Sequence, residues 1–443
     1  MAKSLIEKPP FNFTNALFEK KFLDLDYLNK YKEIDEKGRY LYWSDFKYRV
    51  KNGDDVKKAW FAVKFARLSK IKKTLLLNKN NEPFNFCVPD TLDAKLFKIT
   101  NLANLGIVPH NSIKEKYLIS SLIIEEAISS SQLEGASTTR KIAKEMLSSN
   151  KKPRNEDEQM ILNNYILMKE ITKYKDEDLT IDLILHLHKI ATDNLFSNGN
   201  IAGEFRKSNK IVIADNDGNI LHQPPNFKDL PQRLQKLCDF ANTNHSAEDG
   251  TLFIHPVIKA IILHFMIGYE HPFADGNGRT ARALFYWFML KSGFDYFKYL
   301  SISKLLKASP KKYSLSYLYS EIDDNDLTYF ISYQIEIILK AINDLIEYLQ
   351  RKSKEFEEIE RLLNGTKWSK KLNFIQKDII KKAIKNPGKI FTALEIASKY
   401  NISPTTARKY LMQLAQYKLL ANFKDGKTIA FIAPASLQDM LSY

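Results

Sequence analysis

The stretch that most constrains this chain is His271 to Arg282, HPFADGNGRTAR, which holds a base, an acid, two glycines and two arginines at fixed spacing. Upstream, Val257 to Tyr269 (VIKAIILHFMIGY) is apolar enough for a buried helix. Pro272 disfavours helical angles in the residue before it, so that helix should end at about Glu270. His271 then stands at a helix exit. Gly276 and Gly278 flank Asn277 and admit backbone angles that other residues resist, so successive N–H groups can converge into an anion nest. Arg279 opens a second apolar helix, Thr280 to Leu290, whose unpaired first N–H groups and dipole also attract phosphate. A buried histidine is often only a hydrogen-bonded core residue, and His271 with Asp275 has the i, i+4 spacing of a helical metal pair. Pro272 and the glycines argue against a continuous helix there.

Each remaining position suits phosphate chemistry. His271, with an ordinary pKa of about 6.5, is a natural general base for a hydroxyl attacking phosphorus. Asp275 is a hard oxygen ligand fit for a magnesium ion that keeps most of its waters. Arg279 and Arg282, three apart, lie on neighbouring positions of one helix face, where both can reach a polyphosphate. Phe273 and Ala274 read as packing.

The whole stretch resembles the signature of the Fic domain: HPF, any residue, Asp or Glu, GNGR, two residues, Arg. Every fixed position is present. The resemblance implies a mainly α, Fic-type helical core and transfer of AMP from ATP to a Ser, Thr or Tyr hydroxyl of a protein, with pyrophosphate leaving. In that scheme His271 is the base, Asp275 holds the metal, Gly276, Asn277 and Gly278 cradle phosphate, and Arg282 reaches the γ-phosphate. Relatives of the fold can also run the reaction in reverse or transfer other phosphate-containing groups.

Two further segments carry the same likeness. Tyr117 to Glu134 reads as one helix ended by Gly135. There Ser130, Glu134 and Gly135 resemble the inhibitory motif of Fic proteins, in which the glutamate pairs with the second arginine of the signature and keeps ATP from seating productively. Here that pair would be Glu134 with Arg282. A carboxylate at a helix C-terminus opposes the dipole, which a positive partner elsewhere would explain. Gly203 to Arg206 resembles the GxxR element that leads into a β-hairpin flap over residues 203–223. Lys210 to Ala214 and Asn219 to His222 are β-prone, with Asp215 to Gly218 as the turn. In the family the flap edge, here Ile211, Val212, Ile213 and Ala214, holds the target by main-chain pairing. His186 and His188, two apart on a helix over Leu179 to Asp193, point to different sides and do not read as metal ligands.

At 443 residues the chain exceeds one typical domain, and its length suggests about three. Only 15 glycines and many helical-period apolar runs predict mostly α structure. A net charge of +15 favours polyanionic partners, although a lysine-rich solvated surface gives the same number. Two distant cysteines, Cys87 and Cys238, no apolar signal core and no long apolar run fit a soluble cytoplasmic protein.

Residues 1–100 interleave aromatic and basic positions at helical spacing and should form an N-terminal helical extension, closed by a turn-rich stretch from Asn78 to Pro89. The Fic-like part is expected over 101–350, with helices at Tyr299 to Tyr319 and Asp326 to Arg351. A charged linker should span 351–371. Residues 372–443 resemble a winged helix-turn-helix domain: helices at Phe374 to Lys385, Thr392 to Tyr400 and Pro404 to Tyr417, then strands at Leu419 to Phe423 and Thr428 to Ile432. Its third helix would offer Thr405, Thr406, Arg408 and Lys409 to DNA. Such domains also serve dimerisation, and helical arms flanking the core would suit a homodimer. A DNA-binding regulator whose Fic-like part senses nucleotide is the alternative from outside enzymology.

Overall fold

Apolar residues recurring every three to four positions give a chain of helices, to which, among the described residues, three small antiparallel sheets are attached. The computed structural model describes residues 6–104, 113–149, 151–195, 202–215, 217–248, 250, 252–400, 402–425, 428–434 and 437–441. After short helical turns, Val56–Leu68 forms the first long helix, α1, whose N-terminal amides are capped by the Asp55 carboxylate. The aromatic residues around it turn inward: Tyr42, Trp43, Phe46, Trp60 and Phe61 are buried. Lys64 and Arg67 are buried too, held by Asp323 Oδ1 at 2.9 Å and the Tyr329 hydroxyl at 2.8 Å. The aromatic and basic mixture therefore packs this region onto the rest of the molecule.

The N-terminal region is not wholly helical. Ile71–Leu77 (β1) and Pro83–Cys87 (β2) pair as an antiparallel hairpin, so the stretch expected only as a turn-rich closure contains a strand. Thr74, Leu76, Phe84 and Phe86 face the core with period two. Pro83 sits at the first strand position, where its missing N–H is tolerated.

Asp90–Asn104 (α2), Ile113–Leu133 (α3), Arg140–Ser149 (α4), Glu156–Glu170 (α5) and Ile181–Thr192 (α6) follow. The flap is short: only Ile213–Ala214 (β3) and Ile220–His222 (β4) pair, while Ile211 and Val212 stay outside the ladder. Asp215 Oδ1 accepts from the amides of Asp217 and Asn219, which closes the turn. Asn216 of that turn lies outside the described residues.

Leu230–Asn242 (α7), Pro256–Glu270 (α8) and Asn277–Lys291 (α9) come next, and α8 and α9 form the centre of the main core. Every residue from Val257 to Ile267 on α8 is buried, as expected for a helix that is hydrophobic all round. The helix expected over Tyr299 to Tyr319 is two, Ile302–Ala308 (α10) and Pro310–Ile322 (α11), because Pro310 starts a new helix after Ser309 leaves helical angles.

The expected linker is also different. Thr328–Leu363 (α12) runs for 36 residues straight through most of it and ends only at Asn364 and Gly365, whose φ is 81°. Lys, Glu and Arg are good helix formers, and no Gly or Pro interrupts them. Leu363, Trp368 and Leu372 then belong to a second core.

That second core is built by Phe374–Lys385 (α13), Ile390–Thr392 (β5), Ala393–Tyr400 (α14), Pro404–Gln416 (α15), Ala421–Asp425 (β6) and Thr428–Ile432 (β7). The sheet has order β5-β7-β6, all antiparallel, one strand more than expected, since three residues are too few to show a period. The first wing strand starts at Ala421 because Leu419 and Leu420 fill the core. Asn401, Gly426 and Lys427 of the expected turns lie outside the described residues. Among the described residues no helix is long and apolar enough to cross a membrane.

Candidate active site

Helix α8 stops at Glu270, and His271 takes left-handed angles (φ 45°, ψ 55°) while its amide still bonds Ile267 O at 3.0 Å. Pro272 excludes the right-handed basin for His271. The chain turns away at once. Gly276, with φ 82°, then caps α9, which begins at Asn277, two residues earlier than expected. A Cβ on Gly276 would also lie 2.6 Å from Thr192 Cγ2. Gly278 differs from the expectation: it lies inside the helix, and what it supplies is space. A Cβ there would stand 2.2 Å from Glu134 Oε1. Asn277 closes the loop on itself, accepting from Phe273 N at 3.0 Å and donating to Phe273 O at 2.9 Å. The first amides of α9 are left without intrahelical partners, which suits an anion.

The His271 ring is oriented by a contact of Nδ1 with Gly268 O at 3.3 Å. A carbonyl can only accept, so Nδ1 carries the proton and Nε2 is the free base. Burial pushes the imidazole down to about 4, which keeps it neutral.

Two residues from outside the loop, His188 and Arg206, hold it in place. His188 on α6 stacks on Phe273 at 3.7 Å with the rings 2° apart. Its Nδ1 accepts from Gly203 N at 3.0 Å and its Nε2 donates to Asp275 O at 2.9 Å. Burial pushes this ring down to about 4 as well, so it stays in the neutral form that bridging requires. Arg206 ties the flap to the loop. Its amide bonds Pro272 O at 2.8 Å, its Nε donates to His271 O at 2.9 Å, and its terminal nitrogens reach Ser208 O, Asn209 Oδ1 and Pro225 O. A histidine spaced off its neighbour by two could not be assigned a partner without the fold, whereas the GxxR element did mark Arg206.

A cavity of about 250 Å³ opens beside His271. Gly278, Arg282 and Glu134 line it on one side; Tyr313, Tyr317 and Glu321 of α11 line another, with Ile213 and Leu221 from the flap. His222 closes a corner, its ring nitrogens 2.6 Å from Glu321 Oε2 and 2.7 Å from Tyr269 O. Arg282 is buried and engaged by the preceding helix: Nε donates to Ser130 Oγ at 2.9 Å, Nη2 to Ser130 O at 3.1 Å, and Nη2 lies 2.9 Å from Glu134 Oε1. Among the described residues its buried Nη1 meets no hydrogen-bond partner. Gly135, φ 103°, ends the segment that carries Glu134.

Arg279 is placed otherwise than the sequence suggests. It is buried, with Nη1 on Ala191 O at 2.6 Å and Nη2 on Asp275 Oδ2 at 2.9 Å, and it is not among the residues lining the cavity. Three residues subtend about 300° on a helix, so Arg279 and Arg282 sit on adjoining faces, and packing sends them apart. Asp275 is half exposed, with one oxygen bonded to Arg279. Among the described residues no cluster of three or more His, Cys, Asp or Glu is arranged to hold a metal. Of the four expected flap-edge residues, Ile213 lines the cavity; Ile211, Val212 and Ala214 do not. In the C-terminal unit Thr405, Arg408 and Lys409 are exposed, while Thr406 is partly covered and its amide and hydroxyl both contact Ser403 Oγ.

Comparison with known proteins gives one family. Residues 178–289 match the Fic/DOC family. The chain is 26% identical over 231 residues to a protein adenylyltransferase Fic of Nematostella vectensis, covering 48% of this chain and 49% of that protein. It is 32% identical over 117 residues to the protein of the same name from Drosophila melanogaster, covering 26% of this chain and 21% of that one. The chain thus spans half or less of the length of these curated relatives. Among solved structures, a Fic family protein from Desulfovibrio desulfuricans G20 is similar with a TM-score of 0.49 and 15% identity, over 78% of this chain and 95% of that one.

Proposed function

Because residues 178–289 match the Fic/DOC family, we propose that the chain is a protein adenylyltransferase that transfers AMP from ATP to a hydroxyl side chain of a target protein or of itself, held in check by Glu134. The observation that carries this reading is the Glu134 Oε1 to Arg282 Nη2 contact of 2.9 Å, made across the face of Gly278 in a cavity that also holds His271. A buried guanidinium with an unpartnered Nη1 is a site for an anionic oxygen, and the carboxylate occupies its other side.

In this mechanism the target hydroxyl oxygen attacks the α-phosphorus in line, the bond from that phosphorus to the bridging oxygen breaks, and pyrophosphate leaves. The hydroxyl proton passes to His271 Nε2. The first amides of α9 and the Arg282 guanidinium face the accumulating negative charge. Asp275 fits a magnesium ion: a half-exposed hard oxygen donor, which among the described residues belongs to no group of three or more metal-binding side chains, suits a metal that keeps most of its waters. Bound there, the metal would supply charge neutralisation for the phosphates. Ile213 at the cavity and the flap edge beside it would receive an extended target segment by main-chain pairing.

The test is labelling of protein with ATP traceable at its α-phosphate or adenine. Glu134→Gly is expected to raise labelling well above wild type, and His271→Ala in that background to abolish it. Equal labelling by wild type and Glu134→Gly would remove the restraint; labelling that survives His271→Ala would remove the base.

The C-terminal unit supports a second, compatible role. Its three helices and three-stranded sheet suit a winged helix-turn-helix, with exposed Thr405, Arg408 and Lys409 on α15 offered to a DNA groove. Arg408→Glu with Lys409→Glu should weaken binding to duplex DNA and reduce its salt dependence; unchanged binding would exclude this helix as the contact.

A further inference from the structure

Glu126 and Ser130 on α3 and Glu134, one residue past its end, recur every four positions. Ser130 and Glu134 both touch Arg282. Glu126 does something else. It is 1% exposed, an unusual place for a carboxyl group, and it carries no part of the chemistry proposed above.

Its partners come from a different element. Ser301 Oγ donates to Oε2 at 2.8 Å, the Ser303 amide donates to the same oxygen at 3.2 Å, and Ser303 Oγ donates to Oε1. All three lie at the start of α10, which packs along α3. On α9, Tyr286 sits one turn beyond Arg282, its hydroxyl bonded to Leu300 O at 3.0 Å and accepting from Ile302 N at 3.1 Å, so it fixes the same corner. One more bond joins the two helices further along, from Lys307 Nζ to Gln132 Oε1 at 2.7 Å.

Burying a carboxylate is unfavourable, and here burial pushes the Glu126 carboxyl up to about 7 despite its three donors. An apolar side chain would fill the space at lower cost. It would leave α3 free to slide or rotate, whereas three directional hydrogen bonds admit one register only. Register is what the brake needs, because Glu134 projects from the end of α3 onto a single nitrogen of Arg282, and a helical residue displaced by one position moves by 1.5 Å and 100°.

We propose that Glu126 is a positioning residue: by docking on Ser301 and Ser303 it sets the register of α3 that delivers Glu134 to Arg282. The proposal rests on reading Glu134 as the brake. Removing the anchor should release the brake even though Glu134 itself is intact.

The experiment compares labelling from ATP by wild type, Glu126→Ala, Glu134→Gly and the double variant, all as the full chain. Glu126→Ala is expected to label about tenfold above wild type, equivalent to ~1.4 kcal/mol of lost docking. The double variant should label no more and no less than Glu134→Gly, since an anchor for an absent brake has nothing left to do. A residue that only supports the core would instead lower labelling in both backgrounds, and that result overturns the proposal. So does wild-type labelling by Glu126→Ala beside a raised Glu134→Gly, which leaves the brake standing and removes the anchor. Wild-type labelling by both variants sinks the brake and the anchor together. Glu126→Gln, which keeps one acceptor oxygen and the shape, guards against a misfolded alanine variant: its labelling should fall between wild type and Glu126→Ala. Amide exchange over residues 126–134, followed without nucleotide, should quicken in Glu126→Ala and Glu126→Gln; unchanged exchange in both overturns the proposal independently of activity.

Discussion

Which nitrogen of His271 carries its proton decides whether it can act. The Gly268 carbonyl claims the proton at Nδ1, so Nε2 is available throughout the range in which the ring is neutral. Burial, with the ring down at about 4, extends that range well below the usual histidine limit. A phosphate chain arriving beside the ring would move it back up, because an adjacent negative charge favours imidazolium. The free enzyme and the substrate complex should therefore differ. In the Glu134→Gly background, kcat/KM is expected to stay level from pH 8 down to about 5, while kcat begins to fall at higher pH. An acid limb of kcat/KM centred near the ordinary value of about 6.5 would show that the ring is not buried as described.

Among the elements, the loop between α8 and α9 depends on neighbours from α6 and the flap. Arg206 satisfies carbonyl oxygens of His271, Ser208 and Pro225 that would otherwise face the interior unpaired. Removing the guanidinium leaves several such acceptors at once, each worth about 1–3 kcal/mol when stranded. Arg206→Ala should lower unfolding stability by roughly 3 kcal/mol or more and strongly reduce labelling in the Glu134→Gly background. Arg206→Lys should rescue little of either, since one ammonium cannot span acceptors on both sides of a planar fork. Urea titration read alongside labelling checks both statements. Restored stability with lysine would mean that only the charge matters.

At the scale of the whole molecule, the two largest cores among the described residues share one long helix. The first surrounds α8 and α9, the second lies under α13, α14 and α15, and α12 reaches from one to the other. Helix α14 also packs on α3 and α4, so the C-terminal unit rests against the segment that ends at Glu134. Leu411 is fully buried in the second core, and Leu411→Ala should cost that unit about 2–5 kcal/mol. Calorimetry is expected to show the C-terminal transition moved down with the main transition in place. A uniform shift of one transition would show that the cores unfold together.

The sequence alone was enough for the corner between the two central helices, because Pro272 and Gly276 act on their own backbone: one ends α8, the other turns the chain into α9. It also marked Glu134, through a local pattern of Ser130, Glu134 and Gly135. It misjudged the hairpin at Ile71–Cys87 and the run 351–371, where strand pairing and burial of Leu363 outweigh local composition. Other facts belong to tertiary structure. Gly278 is required for the room that Glu134 takes, Arg279 turns inward to Ala191, and His188 bridges Gly203 to Asp275. A residue's backbone preference is written in its own side chain, but the partner it will meet across 80 or 150 positions is fixed only when the helices pack.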